Sequence, residues 1–430
     1  MSSAASADTI LPADAVDTIS SVSWSPAANH LAAASWDGKV RIYDVAPGPS
    51  ARAAAMLSVD SPVLSCDWAK DGTMVLAGGA DKQPHLLHLA TGQQATIGSH
   101  DAPIRSVRFL DTAALGASWP STHCFATGSW DKTVKFWDMR QQEPLMTRNC
   151  SDRVYAMDTK STLLAIATAD RNIHLVDLRR PYEFLHTILS PLKHQTRAVS
   201  VFPDGRGWAT ASIEGRCGMN AADEKSDGKR YCKMMFSLFA NYPNINDRIE
   251  AAITIIITTP RLIRKLRVLT RRHRLRFALR SINFTFRCHR SAPDNNKSTN
   301  VYAVNDVQFH PVHTTTFVTA GSDGTFHFWD RISHTRYKAY EPPATLSTTA
   351  ATTLSKSPTW GTAKGARRSP DDGSPRAAIT TTAFNCDGSL FAYAVGYDWS
   401  KGHAANTPNY PNRLVLHSVT DEDVKPRRKT

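Results

Sequence analysis

Four acidic residues in this chain are each followed, at a fixed distance, by the same kind of dipeptide. Six positions beyond Asp37, Asp131, Asp170 and Asp323 stand Tyr43-Asp44, Trp137-Asp138, Val176-Asp177 and Trp329-Asp330. A fixed offset of this kind marks a repeating structural unit, and repeats decide the architecture before any other feature does. Seven segments share one grammar: residues 21–45, 64–89, 104–140, 152–178, 196–219, 304–330 and 379–399. Each runs from an alternating apolar strand through Pro, Asn or Gly turn residues to a small-residue strand. An acidic turn and a third strand follow. The acidic position is Asp37, Asp81, Asp131, Asp170, Glu214, Asp323 or Asp398, and the first four intervals are 44, 50, 39 and 44 residues.

A repeat of about 40 to 45 residues with four strands and a terminal Trp-Asp is the WD40 signature. The expected fold is therefore all-β, a seven-bladed WD40 β-propeller. One small sheet, apolar on both faces, cannot bury itself. Seven of them around an axis bury both faces and leave only short edges. The turn carboxylates are expected to be structural, accepting hydrogen bonds from backbone N–H groups in the tight turn. The reading places a disordered segment at 1–15, the propeller at 16–420 and a basic tail at 421–430, with interruptions at 228–280 and 341–375.

The formal charge of +13 points to nucleic acid until it is located. Between Gly228 and Arg280 thirteen Lys and Arg face only Asp247 and Glu250, so the remainder of the chain carries a net of just +2. Electrostatic arguments must then be local. This stretch matches neither blade grammar nor loop composition. Its last part is compatible with a basic amphipathic helix, an arm for nucleic acid or a membrane surface. Gly228-Lys229 can also be encoded GGTAAG, which contains a typical splice donor, and the segment is read here as an unspliced, in-frame intron. The 341–375 stretch, rich in Thr, Ser, Ala, Pro and Gly, reads as a disordered surface loop.

Other classes are set aside on composition and motifs. No run of about 18 apolar residues exists, which argues against a spanning helix and membrane insertion. The N-terminus lacks the basic start and apolar run of a secretory signal. Seven scattered cysteines with no C-x-x-C pair fit a reducing compartment. There is no P-loop, no G-x-S-x-G elbow and no H-E-x-x-H. His85 and His88 lie three apart on an expected strand with no third ligand nearby. The chain is expected to be no enzyme, with no cofactor and no metal.

More specific strings than the repeat are present: SWDGKVRIYDV (35–45), FATGSWDKTVKFWD (125–138), ATADRNIHLVDLR (167–179), SPLKHQTRAVSVFP (190–203) and SIEGR (212–216). NFTFRCHR (283–290), VYAVNDVQFHPVH (301–313), GSDGTFHFWD (321–330) and YDWSKGHAANTPNYPN (397–412) join them, with the tail DEDVKPRRKT. Together they resemble the Rae/Gle family of WD40 mRNA export factors, across nearly all of the chain except 1–15, 228–280 and about 341–375. One departure is CGMN after SIEGR, where the family usually continues a β-branched strand. The resemblance implies a non-enzymatic scaffold at the nuclear envelope and nuclear pore, partly cytoplasmic. It implies binding to the GLEBS motif of an FG-repeat nucleoporin and to RNA or mRNA–protein particles, and for some members a spindle role. The alternative is a WD40 adaptor in the mitotic checkpoint or in ubiquitin-ligase substrate recognition, since fold alone does not decide function.

Binding RNA or an acidic peptide requires cations beside ring faces. The resemblance assigns this to Arg216, Phe286, Trp329, Asp330 and Arg331. The two arginines supply forked donors for phosphate, and the rings supply stacking surface. His289 and Arg290 are candidate extensions, with a turn role as the alternative. Tyr397, Trp399 and Lys401 are taken as exposed-loop candidates for nucleoporin contact, and Asp398 as structural.

Overall fold

The computed structural model describes residues 8–12, 14–45, 51–112, 115, 119–222, 282–293, 297–341, 377–407 and 410–425. Seven four-stranded antiparallel sheets form the blades of a propeller. Blade 1 runs from Ile19 to Ser58, blade 2 from Val63 to Thr96, blade 3 from Ile104 to Asn149, and blade 4 from Val154 to Leu189. Blade 5 combines three strands between Thr196 and Ala221 with a fourth at Phe284–Arg287. Blade 6 spans Val304–Tyr340. The second strand of each blade is composed of small and aliphatic residues, as in HLAAAS (30–35) and LLAIAT (163–168), and is buried almost throughout. It lies mid-sheet with a blade packed on either face, which excludes the polar alternation of a half-exposed strand.

Apolar clusters lie between adjacent blades. Phe136 of blade 3, for example, packs with Met157, Leu164 and Ile166 of blade 4. Each such side chain contributes about 1.5–3 kcal/mol relative to exposure. The innermost strands line a central channel of about 510 Å³. Each of them carries a β-bulge near its start, at the end of the blade where the acidic turns lie.

Both ends of the described chain lock into the ring. Blade 7 takes three strands from Ala378–Ser418 and its outer strand from Thr9–Ile10. This corrects the expectation that 1–15 is wholly disordered: Leu11 is buried, and Asp8 accepts hydrogen bonds from Tyr393 (2.5 Å) and His417 (2.7 Å). A two-residue strand carries too little pattern to be read from sequence. The basic tail expected at 421–430 is likewise corrected at its start, where the helix Asp421–Val424, closed by a Thr420–Asp423 capping box, is anchored on the ring. Asp423 is fully buried beside Tyr340 and accepts from Lys338 at 3.0 Å. Residues 228–280 and most of 341–375 lie outside the described residues, as do the readings made for them. Among the described residues no helix is long and apolar enough to cross a membrane.

Candidate nucleic-acid and peptide interface

The acidic turns hold their blades together. In blade 3 the Asp131 carboxylate accepts from Thr133 N–H (2.8 Å), the Thr133 hydroxyl and His100 Nδ1 (2.7 Å). His100 Nε2 lies 2.7 Å from the Thr127 hydroxyl, to which Trp137 Nε1–H donates at 2.7 Å. Blade 6 repeats the network with Asp323, His289, Thr319 and Trp329 at 2.9–3.0 Å. Burial pushes the Asp131 carboxyl upward, but the hydrogen bonds from His100 and Thr133 prevail and hold it well below the usual range. Asp323 is held low in the same way by His289 and Thr325. His289 thus has the structural role. Asp37 pairs with Arg41 and Asp81 with His85, each four residues along the next strand, so His85 is spent on its own turn.

The residues assigned to RNA or acidic-peptide binding divide into three places. Phe286 and Trp329 meet. Their centroids lie 4.8 Å apart across the junction of blades 5 and 6, and both rings are partly exposed. Beside them Phe284 stacks on His334 at 3.6 Å. The outer strand Thr335–Tyr340 places the exposed Arg336 directly opposite Trp329. Neither Arg336 nor His334 was singled out from the sequence. Their signal was available in the hairpin, since the strand after Trp329-Asp330 must return beside it.

Arg216 is elsewhere. Cys217 pairs with Phe286 and packs toward blade 6, so strand alternation turns Arg216 to the opposite sheet face. There Arg216 stands across from the exposed Arg287, two like charges side by side. Arg331 corrects the expectation of an open phosphate fork. It is 9% exposed, its guanidinium lies 4.1 Å from the Phe202 ring centroid, and it pairs with Asp204 at 3.5 Å. Burial pushes its pKa down, offset in part by Asp204. Asp330 accepts from Ile332 N–H (3.3 Å) and Ser333 N–H (2.9 Å), which closes the turn after its strand.

The three nucleoporin candidates also separate. Tyr397 is buried, contrary to the expectation of an exposed loop residue. Its hydroxyl donates to Gly402 C=O at 2.7 Å and accepts from Lys401 N–H at 3.2 Å, fixing the loop from inside. Trp399, at φ +61°, stacks on Trp36 of blade 1 at 4.4 Å. Lys401 is exposed. Asp398 accepts from Ser400 N–H at 3.1 Å, a turn role as expected.

A family model for the WD domain, G-beta repeat, matches residues 10–44, 56–86, 92–138 and 283–330. The chain is 40% identical to "WD40 repeat protein poxJ" of Penicillium oxalicum over 96% of this chain and 93% of that protein. It is 38% identical to "mRNA export factor GLE2" of Chaetomium thermophilum, covering 96% of this chain and 90% of the relative. Against "Poly(A)+ RNA export protein" of Schizosaccharomyces pombe the identity is 37%, with 96% and 91% covered.

Proposed function

We propose, from the premise that this chain belongs to the Rae1/Gle2 family of WD40 mRNA export factors, that it is a non-enzymatic scaffold joining RNA–protein particles to the nuclear pore. Its partners on this reading are the GLEBS motif of an FG-repeat nucleoporin and RNA, and its place is the nucleus and nuclear envelope with a cytoplasmic fraction. The observation that carries the reading is similarity to named export factors over 96% of the chain, which takes in every blade. The partly exposed ring pair at the junction of blades 5 and 6 supports the RNA part. Phe286 and Trp329 offer ring faces to a base, and Arg336 offers a fork to the adjoining phosphate. Arg216 with Arg287 makes a second cationic strip on the other face of blade 5. The Trp36–Trp399 stack with Lys401 is a site for an acidic, aromatic-bearing nucleoporin segment.

The test is binding of a GLEBS peptide to the full chain and to a chain lacking 228–280. The strands Arg216–Ala221 and Phe284–Arg287 that flank this stretch pair in register, so the shortened chain is expected to close blade 5 and bind. Binding by both supports the export reading and makes the insertion a tolerated segment. Binding by the shortened chain alone supports the retained-intron reading. Binding by neither overturns the proposal in favour of a checkpoint or ubiquitin-ligase adaptor.

A further inference from the structure

The seven bulges of the innermost strands fall at one level of the channel. In each blade one residue is left without a cross-strand partner: Arg105 between Ile104 and Ser106, for example, or Arg197 between Thr196 and Ala198. A bulge re-aims the side chain it carries. Six of the seven, Ser20, Arg105, Tyr155, Arg197, Asn305 and Thr380, line the central channel. Blades 3, 4 and 5 thus present Arg, Tyr and Arg in succession at the channel end nearest the acidic turns.

These arginines differ from the other channel cations. Arg108, farther along the same strand as Arg105, pairs with Asp158 at 3.4 Å. Among the described residues no carboxylate pairs with Arg105 or Arg197. Among the described residues Arg105 donates only to Leu64 C=O at 3.3 Å and Arg197 only to Asp398 C=O at 3.2 Å, with the Asp306 and Asp398 carboxylates acting on them without pairing. Burial, then Arg197, then Arg108 push the Arg105 guanidinium down to about 10. The Asp306 carboxylate is spent on Val307 N–H, on Thr382 N–H and hydroxyl, and on Gln308. Arg153, exposed at the same end, lies 5.9 Å from the Tyr155 ring centroid. A second observation points to a ligand. Asn305 is 7% exposed, its Nδ2 donates to Ile379 C=O at 2.8 Å and lies 3.5 Å from Asp398 Oδ2, and its Oδ1 is buried with no hydrogen-bond partner among the described residues. The channel lining carries five basic residues, Lys70, Arg105, Arg108, Lys160 and Arg197, against Asp67, Asp158 and Asp306, a net of two positive charges, and it holds one idle acceptor.

The geometry points to an anion site at this end of the channel, taking a small ligand of the phosphate-ester class between Arg105 and Arg197. Forked guanidiniums match phosphate oxygens. The excess of more than one positive charge suits a multivalent anion better than a single carboxylate. A singly protonated phosphate oxygen donates to Asn305 Oδ1. The channel, at about 510 Å³, has the size of a small-molecule site. It lies apart from the ring pair at the junction of blades 5 and 6 and does not depend on the export reading.

The experiment titrates tripolyphosphate into the full chain by calorimetry, with NaCl matched for ionic strength, and compares Arg105→Gln/Arg197→Gln. The wild type is expected to bind with 1:1 stoichiometry at this site, and the double variant about ten-fold or more weaker. The basic run between Gly228 and Arg280 is common to both proteins, so any binding there cancels. Equal binding by both overturns the proposal. A hexaglutamate peptide that binds as tightly as tripolyphosphate, with the same loss in the variant, overturns the ligand class in favour of an acidic segment. In anion-free buffer the variant is expected to melt no lower than the wild type, because it loses unpaired buried charge. A variant, double or Arg197→Gln alone, that melts lower there also overturns the proposal, since the guanidiniums would then be framework.

Discussion

Blades 3 and 6 carry the same four-residue network but treat its tryptophan differently. Trp137 is fully buried, whereas Trp329 keeps part of its ring at the surface against Phe286. The difference arises in the strand that precedes each histidine. Before His100, the outer strand of blade 2 ends at Thr96, and Gly98, at φ +56°, folds the chain onto the indole. A Cβ on Gly98 would lie 2.2 Å from Trp137 Cζ3, so only glycine fits. Before His289, the outer strand of blade 5 stays extended through Arg287, and Phe286 stands where blade 2 has the buried Ile97. A framework tryptophan stays partly exposed when its neighbour's outer strand fails to turn inward.

The largest way to break the comparison is to block the inward turn. Gly98→Ala should cost about 3–5 kcal/mol, combining left-handed strain with overpacking, read as a fall in the urea midpoint. The matching change Arg287→Ala should leave the midpoint within about 0.5 kcal/mol of wild type. Removing the network's anchor, Asp131→Ala or Asp323→Ala, should cost about 3 kcal/mol in either blade, because each strands a buried histidine. Unequal losses beyond the error of the fit would show that the two networks are not equivalent.

Phe286→Ala separates the roles of the two tryptophans. Its half-buried ring should cost about 2 kcal/mol of stability and also weaken single-stranded RNA binding. The equivalent Ile97→Ala should lower stability alone, and RNA affinity that fell equally in both would remove the Phe286–Trp329 pair from the proposed site. Acid sensitivity sharpens the contrast further. Blade 6 places His327 where blade 3 has Lys135. Burial, then the adjoining His289, hold the His327 imidazole well below its ordinary value of 6.5, against the pull of Asp323. A histidine depressed in the folded state contributes stability that is full above 6.5 and is lost as pH falls toward the folded value, because the unfolded chain takes the proton first. His327→Gln should therefore lose about 2 kcal/mol less than wild type between pH 7.5 and 5, by urea titration. Arg336→Glu, the mildest change, should leave stability within about 0.5 kcal/mol while reducing RNA affinity and its salt dependence.

The junction of blades 5 and 6 was legible only in part. Phe286 and Trp329 were visible from the strings that hold them, and they do meet. Arg336 was hidden because its place depends on a hairpin with a bulge between Phe328 and Trp329, which sets the register across from it. Arg216, Arg331 and Tyr397 were legible as residue types but not as exposed groups. A side chain's sheet face depends on register, and a one-residue difference in pairing reverses it. The insertion disguised blade 5, whose fourth strand begins at Phe284, 63 residues beyond Ala221 at the end of the third.

By itself, the sequence determined the number of blades, the acidic turns and the small-residue strands, because these rest on local spacing and on the alternation of apolar residues. Only the tertiary structure decided that Thr9–Ile10 closes the seventh sheet, that Arg331 lies over Phe202, and that seven bulges align in one ring. Each of those joins residues far apart in the chain. Backbone hydrogen bonds between strands and packing between blades place them, and neither leaves a period in the sequence.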